Sequence, residues 1–427
     1  MRIAISGASG YIGQHLSSFL EGKGYDVIPL GRDLFKEDCF DELCRCVESC
    51  EVVINLAGAS INKRWTEAYK QELYDSRIYV TRQLVHAINT RRVKPELFIS
   101  ASAVGYYPAF GEYDEYHDYR GMDFLARLCG AWEEEASACS SDVRLVITRL
   151  GVVLSEDGGA LKEMLRLQRL SRVSVVVGSG QQRFPWISLF DLCRSFGYII
   201  RNRQMRGVVN LVSPDLITQK QLAHTLARAD KIRWIIPLPE FFFRLKFGEG
   251  ASFVTKGQTV HPTKLLESGF TYVYPTIEKL MNITDHHTVP ELDVKRYMGR
   301  WYEIARYENH FERGMTDVTA TYTLLPDGKI RVENEGYKGG VHKKATGRAK
   351  QPDPKNNPGK LKVAFFLWFY ADYYILELDA DYQYAVISST DKYLWILSRE
   401  RNLPEAVRED LLGKITERGY DISKLIS

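Results

Sequence analysis

The 427-residue sequence predicts two folds in succession: a doubly wound α/β parallel sheet, then a closed antiparallel β-barrel followed by a helix. Three observations carry this. Near the start, Gly7, Gly10 and Gly13 separate a short apolar run, Ile3-Ala4-Ile5, from a helical stretch, Gln14–Leu20. Apolar runs and amphipathic stretches then alternate, as in a sheet covered by helices on both faces. Beyond residue 282 the pattern changes to short alternating strands separated by turns.

The length suits two or three domains. A net charge of +3 gives no reason to expect a nucleic-acid surface. No secretory signal or lipoprotein-type cysteine is read at the start, because the first strand begins at Arg2. The most apolar run, Val363–Tyr370, is far shorter than the ~20 residues a spanning helix needs, so no membrane attachment is expected. Seven cysteines lie in the first half, four of them between Cys39 and Cys50. Without a paired C-x-x-C knuckle they read as buried free thiols in a reducing, cytoplasmic compartment, with no metal.

Taken in order, the first strand leads into a turn in which each glycine has a steric task. Gly7 allows the tight turn, Gly10 lets the backbone approach a pyrophosphate, and Gly13 lets the helix lie close on the strand. The helix N-terminus formed by Ser9, Gly10, Tyr11, Ile12 and Gly13 then offers N–H groups to phosphates. The second strand is expected over Asp26–Arg32. Its end meets the adenosine ribose in such folds, and Gly31 stands where an acid would favour NAD. Arg32 beside it can pair with a 2′-phosphate, so NADP is favoured over NAD; a register shift of one residue would instead bring Asp33 to that place. A third buried strand, Glu51–Gly58, ends in Asn55-Leu56-Ala57-Gly58, and a charged helical stretch follows through Arg77. The strand Glu96–Tyr107 carries Ser100, Ser102, Tyr106 and Tyr107 towards its carboxyl end, where ligands of open α/β sheets bind.

With these residues in place, the first ~285 positions resemble the extended short-chain dehydrogenase/reductases of the NAD(P)-dependent epimerase/dehydratase type, a Rossmann-type fold. The likeness is greatest to a subgroup labelled sugar-nucleotide epimerase or cell-division inhibitor. It rests on Gly7–Gly13, Asn55–Gly58, Lys63-Arg-Trp65, Asp75-Ser-Arg77, Ser100–Tyr107, Gly158-Gly-Ala160, Gly178-Ser-Gly180 and Trp186–Leu192. Gly207–Pro214 and Pro237–Pro275 extend it into the substrate side, about residues 150–285. The resemblance implies a serine, a tyrosine and a lysine in the active site, the last two spaced Y-x-x-x-K on one helix. Ser102 fits the serine, but the helix through Glu133 puts Leu125 and Cys129 at the other two places, and no tyrosine in residues 1–285 has lysine four positions on. Leucine transfers no proton, and a thiol does not replace a permanent ammonium. Two accounts stay open: Tyr106 or Tyr107 beside Ser102 serves as acid/base, or the cofactor binds without turnover. Arg183 suits either an anionic substrate group or a structural role.

In the second part, alternation is plain in Ala320–Leu325 and Lys329–Asn334, joined by the turn Pro326-Asp-Gly328. Further strands are read at Tyr373–Leu378, Tyr384–Ser388 and Tyr393–Arg399, with a helix from about Pro404 to Arg418 ending at Gly419. Residues 288–427 resemble a bacterial outer-membrane-type lipocalin, through Gly299-Arg-Trp301 continuing to Tyr307, Asp381-Tyr-Gln-Tyr384 and Trp395–Arg399. The resemblance implies an eight-stranded barrel holding a small hydrophobic ligand, with Trp301 closing one end under the Arg399 guanidinium. Phe365, Phe366, Trp368 and Phe369 are candidates for its mouth. The expectation is a fusion of an NADP-binding, epimerase-like oxidoreductase (residues 1–285) with a lipocalin barrel (288–427). The first would act on a small carbonyl, alcohol or nucleotide sugar; the rival is a non-catalytic NADP(H) sensor or carrier, and homo-oligomerisation is left open.

Overall fold

The computed structural model describes residues 1–117, 119–309, 312–365 and 370–426. They fall into two units, Met1–Met281 and Asn282–Ser427, the division coming ahead of the expected residue 285.

Alternation within strands explains the first unit. β1 (Arg2–Ser6) sends Ile3 and Ile5 to one face and Ala4 to the other. Both faces are buried, because α1 (Tyr11–Glu21) covers one and α2 (Phe40–Glu48) the other. Between these helices runs β2 (Asp26–Leu30), two residues shorter than expected, and it forms the sheet edge, where Pro29 is tolerated. β3 (Val52–Asn55), α3 (Glu67–Thr90), β4 (Leu97–Ala103), the two-residue β5 (Glu112–Tyr113), α4 (Phe124–Ser137) and β6 (Arg144–Leu150) follow. Each fully buried isoleucine or leucine of these strands contributes about 1.5–3 kcal/mol of apolar transfer.

The chain continues through β7 (Val152–Ser155), α5 (Gly159–Ser171), β8 (Val173–Val177), β9 (Trp186–Ser188) and α6 (Leu189–Arg201). Then come β10 (Gly207–Leu211), α7 (Gln219–Ala229), β11 (Trp234–Leu238) and α8 (Glu240–Phe247). The main sheet is wholly parallel in the order β10-β6-β4-β3-β1-β2. The chain leaves β1 for β2 on one side and returns to β3 on the other, so the switch point lies between β1 and β3. β8 and β11 form a separate parallel pair, as do β7 and β9.

In the second unit the strands are short and antiparallel. A two-residue strand, β12 (Thr259–Val260), precedes them in the first unit. The barrel strands are β13 (Gly299–Tyr307), β14 (Met315–Leu324), β15 (Ile330–Lys338), β16 (Val341–Lys350), β17 (Lys360–Ala364), β18 (Ala371–Leu378), β19 (Tyr384–Thr390) and β20 (Tyr393–Ser398). Each pairs with the next, and β13 pairs with both β20 and β14, closing an eight-stranded barrel. The β14–β15 turn has Gly328 at φ +78°, where a side chain would be strained. Helix Glu405–Glu417 lies on the outside, its Leu411 and Ile415 against Ala305, Leu376, Val386 and Ile396.

The barrel floor is aromatic. Trp301 is fully buried, its indole Nε1 donates to Tyr297 O at 2.9 Å, and the Arg399 guanidinium stacks on its ring at 3.9 Å. Arg399 also donates to the carbonyls of Arg296, Met298, Arg300 and Tyr382. The hydroxyls of Tyr297 and Tyr322 each lie 2.8 Å from that of Tyr373. Higher on the inner face of β13, Glu303 and Arg306 form a buried ion pair. The interior is therefore partly polar. Of the expected mouth residues, Phe365 is exposed, whereas Phe366, Trp368 and Phe369 lie outside the described residues.

Candidate cofactor and active site

The loop between β1 and α1 is shaped by close backbone contact. Gly7 has φ +74°, and a Cβ there would stand 2.8 Å from the Leu56 carbonyl group. A Cβ on Gly13 would come within 2.2 Å of Gly7 O. Glycine is therefore required at both positions for the helix to begin where it does. Gly10 is the N-cap residue and no side chain caps the helix, so its first amides are available to an anion. Ser9 and Gly10 are exposed. These features fit a pyrophosphate. The Tyr11 ring packs on Gly158, where a Cβ would stand 2.2 Å away, and lies edge-on to His15. Ile12 packs its side chain on the core.

At the end of β2, Leu30 pairs with Ser6 and the strand stops. Gly31 leaves it, and Arg32 opens a short 3₁₀ turn, Arg32–Phe35, so Arg32 is a turn residue rather than the expected strand residue. Arg32 is exposed, while the Asp33 carboxylate is engaged by Lys36 at 2.5 Å. That bond and the Lys36 charge hold the Asp33 carboxyl below its ordinary range. After β3, Asn55 Oδ1 accepts from Ser6 Oγ at 2.6 Å and from Ala57 N at 3.3 Å, tying the Leu56-Ala57-Gly58 loop to β1. Arg77 closes over this loop, donating to Ala59 O at 3.0 Å and Leu73 O at 3.1 Å. Its guanidinium lies against Gly58 and 5.3 Å from the Trp132 ring, so its first role is to hold the loop.

Beneath the end of β4 lies a polar core that single-residue reasoning missed. Ser102 Oγ donates to Glu133 Oε1 at 2.6 Å. Glu133 receives Arg149 bidentately, at 2.8 Å and 2.7 Å, with both side chains at most a tenth exposed. The Arg149 guanidinium stacks on Tyr106 at 3.5 Å and lies 4.7 Å from the Tyr107 ring. A second chain runs from Asn55 Nδ2 to Thr81 Oγ1 at 2.8 Å, and Trp132 Nε1 donates to the same oxygen at 2.9 Å. The Trp132-Glu133 pair on α4 and Arg149 on β6 were the available signals, since a buried strand rarely carries arginine without a partner.

Tyr106 and Tyr107 lie beyond β4, in and just after a short 3₁₀ turn, rather than on the strand. Tyr107 is 2% exposed, with its hydroxyl 3.0 Å from both Asn210 Oδ1 and Asp114 O. Burial raises its pKa against the lowering influence of Arg149. The phenol ties the 107–114 loop to β10. Tyr106 is also buried, under Arg149. Leu125 and Cys129 face the same turn, 3.4 Å and 4.0 Å from a Cβ built on Gly105. Burial, with Glu133 next, pushes the Cys129 thiol up to about 12, so it remains protonated at neutral pH. Ser100 is buried and its Oγ has no hydrogen-bond partner among the described residues, and Arg183 donates to Leu216 O at 2.8 Å. All seven cysteines are unpaired thiols.

Comparison with known proteins follows this division. The model of the NAD dependent epimerase/dehydratase family matches residues 3–211, a domain of unknown function matches 238–282, and a lipocalin-like domain matches 292–427. The chain is 34% identical over 297 residues to the chloroplastic epimerase family protein SDR39U1 homolog of Arabidopsis thaliana, covering 65% of this chain and 85% of that protein. It is 33% identical over 307 residues to epimerase family protein YfhF of Bacillus subtilis, covering 68% and 100%. The crystal structure of human epimerase family protein SDR39U1 (isoform 2) with NADPH superposes with a TM-score of 0.61 at 33% identity, over 66% of this chain and 98% of that one. With its glycine turn at the β1/β3 switch point and an eight-stranded barrel beyond it, the chain belongs to the NAD(P)-dependent epimerase family and carries a lipocalin-like domain.

Proposed function

We propose that the first unit binds NADPH in preference to NADH and acts as an oxidoreductase or epimerase on a small carbonyl, alcohol or nucleotide-sugar substrate. The observation that carries this is the uncapped α1 N-terminus beside an exposed Arg32, with the neighbouring Asp33 engaged by Lys36. The human relative crystallised with NADPH supports the same choice. Gly7, Ser9, Gly10 and the amides of Tyr11, Ile12 and Gly13 would receive the pyrophosphate, Arg32 the 2′-phosphate, and the Leu56–Gly58 loop, held by Arg77, the adjoining part of the cofactor. When bound, the cofactor supplies a hydride. Ser102, oriented by Glu133, would hold a substrate oxygen. The barrel would carry a small hydrophobic ligand. Unpaired thiols support a reducing, cytoplasmic setting.

A second reading has its own support. Leu125 and Cys129 face the β4 turn where the family's tyrosine and lysine are expected, and Tyr107 is tied away. This favours a sensor or carrier in which NADP(H) binds without turnover. The test is titration with NADPH and NADH by nicotinamide fluorescence, followed by NADPH oxidation over a carbonyl panel. Arg32→Ala should weaken NADPH about tenfold, the value of one charge-assisted pair, and leave NADH unchanged. Equal weakening of both would refute Arg32 as the phosphate reader. Turnover abolished by Ser102→Ala supports the enzyme, whereas turnover surviving that change refutes the site. Tight binding with no oxidation of any carbonyl supports the sensor.

A further inference from the structure

From Lys231 to Lys246 the first unit exposes apolar and basic side chains together. Among the described residues β11 pairs only with β8, and it leaves Trp234 71% and Ile236 45% exposed. α8 follows after Pro239. Phe243 and Phe247, four residues apart, are its more buried pair, whereas Phe241, Phe242 and Leu245, at i, i+1 and i+4, form an outward face and are 58%, 45% and 69% exposed. The rings of Phe241 and Phe242 lie 4.0 Å apart, so they form one aromatic patch. Three apolar residues on the solvent face of a two-turn helix, with an exposed tryptophan on the strand before it, are more than single scattered hydrophobics.

Basic residues flank and interleave these apolar ones along the chain. Lys231, Arg233, Arg244 and Lys246 are all exposed, and none forms an ion pair among the described residues. Glu240 is the one acid between residues 231 and 246. The nearby acids are engaged elsewhere, Asp230 by Arg169 at 2.9 Å and Glu249 by Lys70 at 2.5 Å. Two copies meeting through this face would bring eight cations together against two Glu240 carboxylates, an arrangement that electrostatics opposes. The protruding phenylalanines and leucine suit acyl chains, and a tryptophan flanked by basic residues suits a headgroup layer.

We propose that β11 and α8 form a peripheral docking surface for anionic lipid membranes, with Phe241, Phe242 and Leu245 inserting among acyl chains, Trp234 lying at the headgroup level and the four cations pairing with lipid phosphates. No helix among the described residues is long and apolar enough to cross a membrane, so attachment through this surface is reversible and lies in the interface. Its strength depends on both the apolar face and the cations, and salt weakens the second contribution.

The experiment is co-sedimentation of the full-length protein with vesicles of phosphatidylcholine alone and of phosphatidylcholine mixed with phosphatidylglycerol. The expected result is binding to the mixed vesicles that falls as salt is raised, with little binding to the neutral ones. Leu245→Asp together with Phe241→Asp should reduce partitioning at least about tenfold, and so should Arg244→Glu with Lys246→Glu. These side chains are exposed, so unchanged circular dichroism and thermal midpoint show that the variants fold. No sedimentation with mixed vesicles overturns the proposal. So does binding that survives both pairs of substitutions, or a wild-type dimer that Leu245→Asp converts to monomer, which would assign the face to a second copy.

Discussion

Replacing Arg149 by methionine removes the cation on which the buried core below Ser102 depends. The substitution keeps most of the side-chain volume but deletes two charge-assisted bonds to Glu133, at 2.8 Å and 2.7 Å, and the stacking on Tyr106 at 3.5 Å. With Arg149 3% and Glu133 10% exposed at their side chains, solvent cannot compensate the remaining carboxylate. Breaking such a pair from one side costs about 3–5 kcal/mol, whereas exchanging both partners for apolar residues costs much less. Glu133 would retain only the Ser102 hydroxyl and stay buried without its cation. The variant should therefore be destabilised, and Glu133→Leu combined with Arg149→Met should recover most of the loss. Native-state hydrogen exchange of the β4 and β6 amides in the full chain reads this locally. A loss below about 1 kcal/mol in Arg149→Met, the level of an exposed salt bridge, would refute the argument.

Further outcomes are expected elsewhere. In the barrel, burial first and Glu312 second raise the Glu303 carboxyl to about 7 against the opposing pull of Arg306. Barrel stability should fall as pH rises from about 4.5 to 7, and Glu303→Gln should flatten that dependence in thermal unfolding followed by tryptophan fluorescence. Arg399→Met should lower barrel stability by about 2–4 kcal/mol, because it removes several carbonyl contacts and the 3.9 Å stack on Trp301; Arg399→Lys should not restore it, since an ammonium lacks the planar fork. Gly13→Ala places a Cβ 2.2 Å from Gly7 O and should lower the midpoint of the first unit and impair nicotinamide binding, whereas Gly31→Ala, with nothing within 4 Å, should leave the midpoint unchanged. Equal midpoints for the two glycine variants would contradict the steric account.

Much of the cofactor half was legible because its constraints are local. Gly10 and Gly13 lie against the Gly7 carbonyl and Gly7 turns the chain at φ +74°, so the spacing alone points to them, although the Leu56 carbonyl that also crowds Gly7 is distant in the sequence. The Arg399–Trp301 stack was also legible, through the barrel's sequence markers. The polar core below Ser102 was less so. Ser102 stands at the end of β4 as expected, but its partner is 31 residues away on α4, and that partner's cation lies on a different strand. The contact of the Tyr107 hydroxyl with Asn210, 103 residues later, was not legible either.

The order of elements, the glycine turn and the change from helix-covered strands to an antiparallel barrel are determined by the sequence itself, because propensity, hydrophobic period and turn chemistry act over a few residues. Tertiary structure alone decided which polar groups share the interior. It joined Ser102, Glu133, Arg149 and Tyr106 into one buried cluster and turned Tyr107 to Asn210. It also placed Glu303 with Arg306 inside the barrel and left the Phe241–Leu245 face in solvent. The physical reason is that a buried charge is tolerable only beside its partner. The partner's identity depends on how strands and helices far apart in the chain are packed.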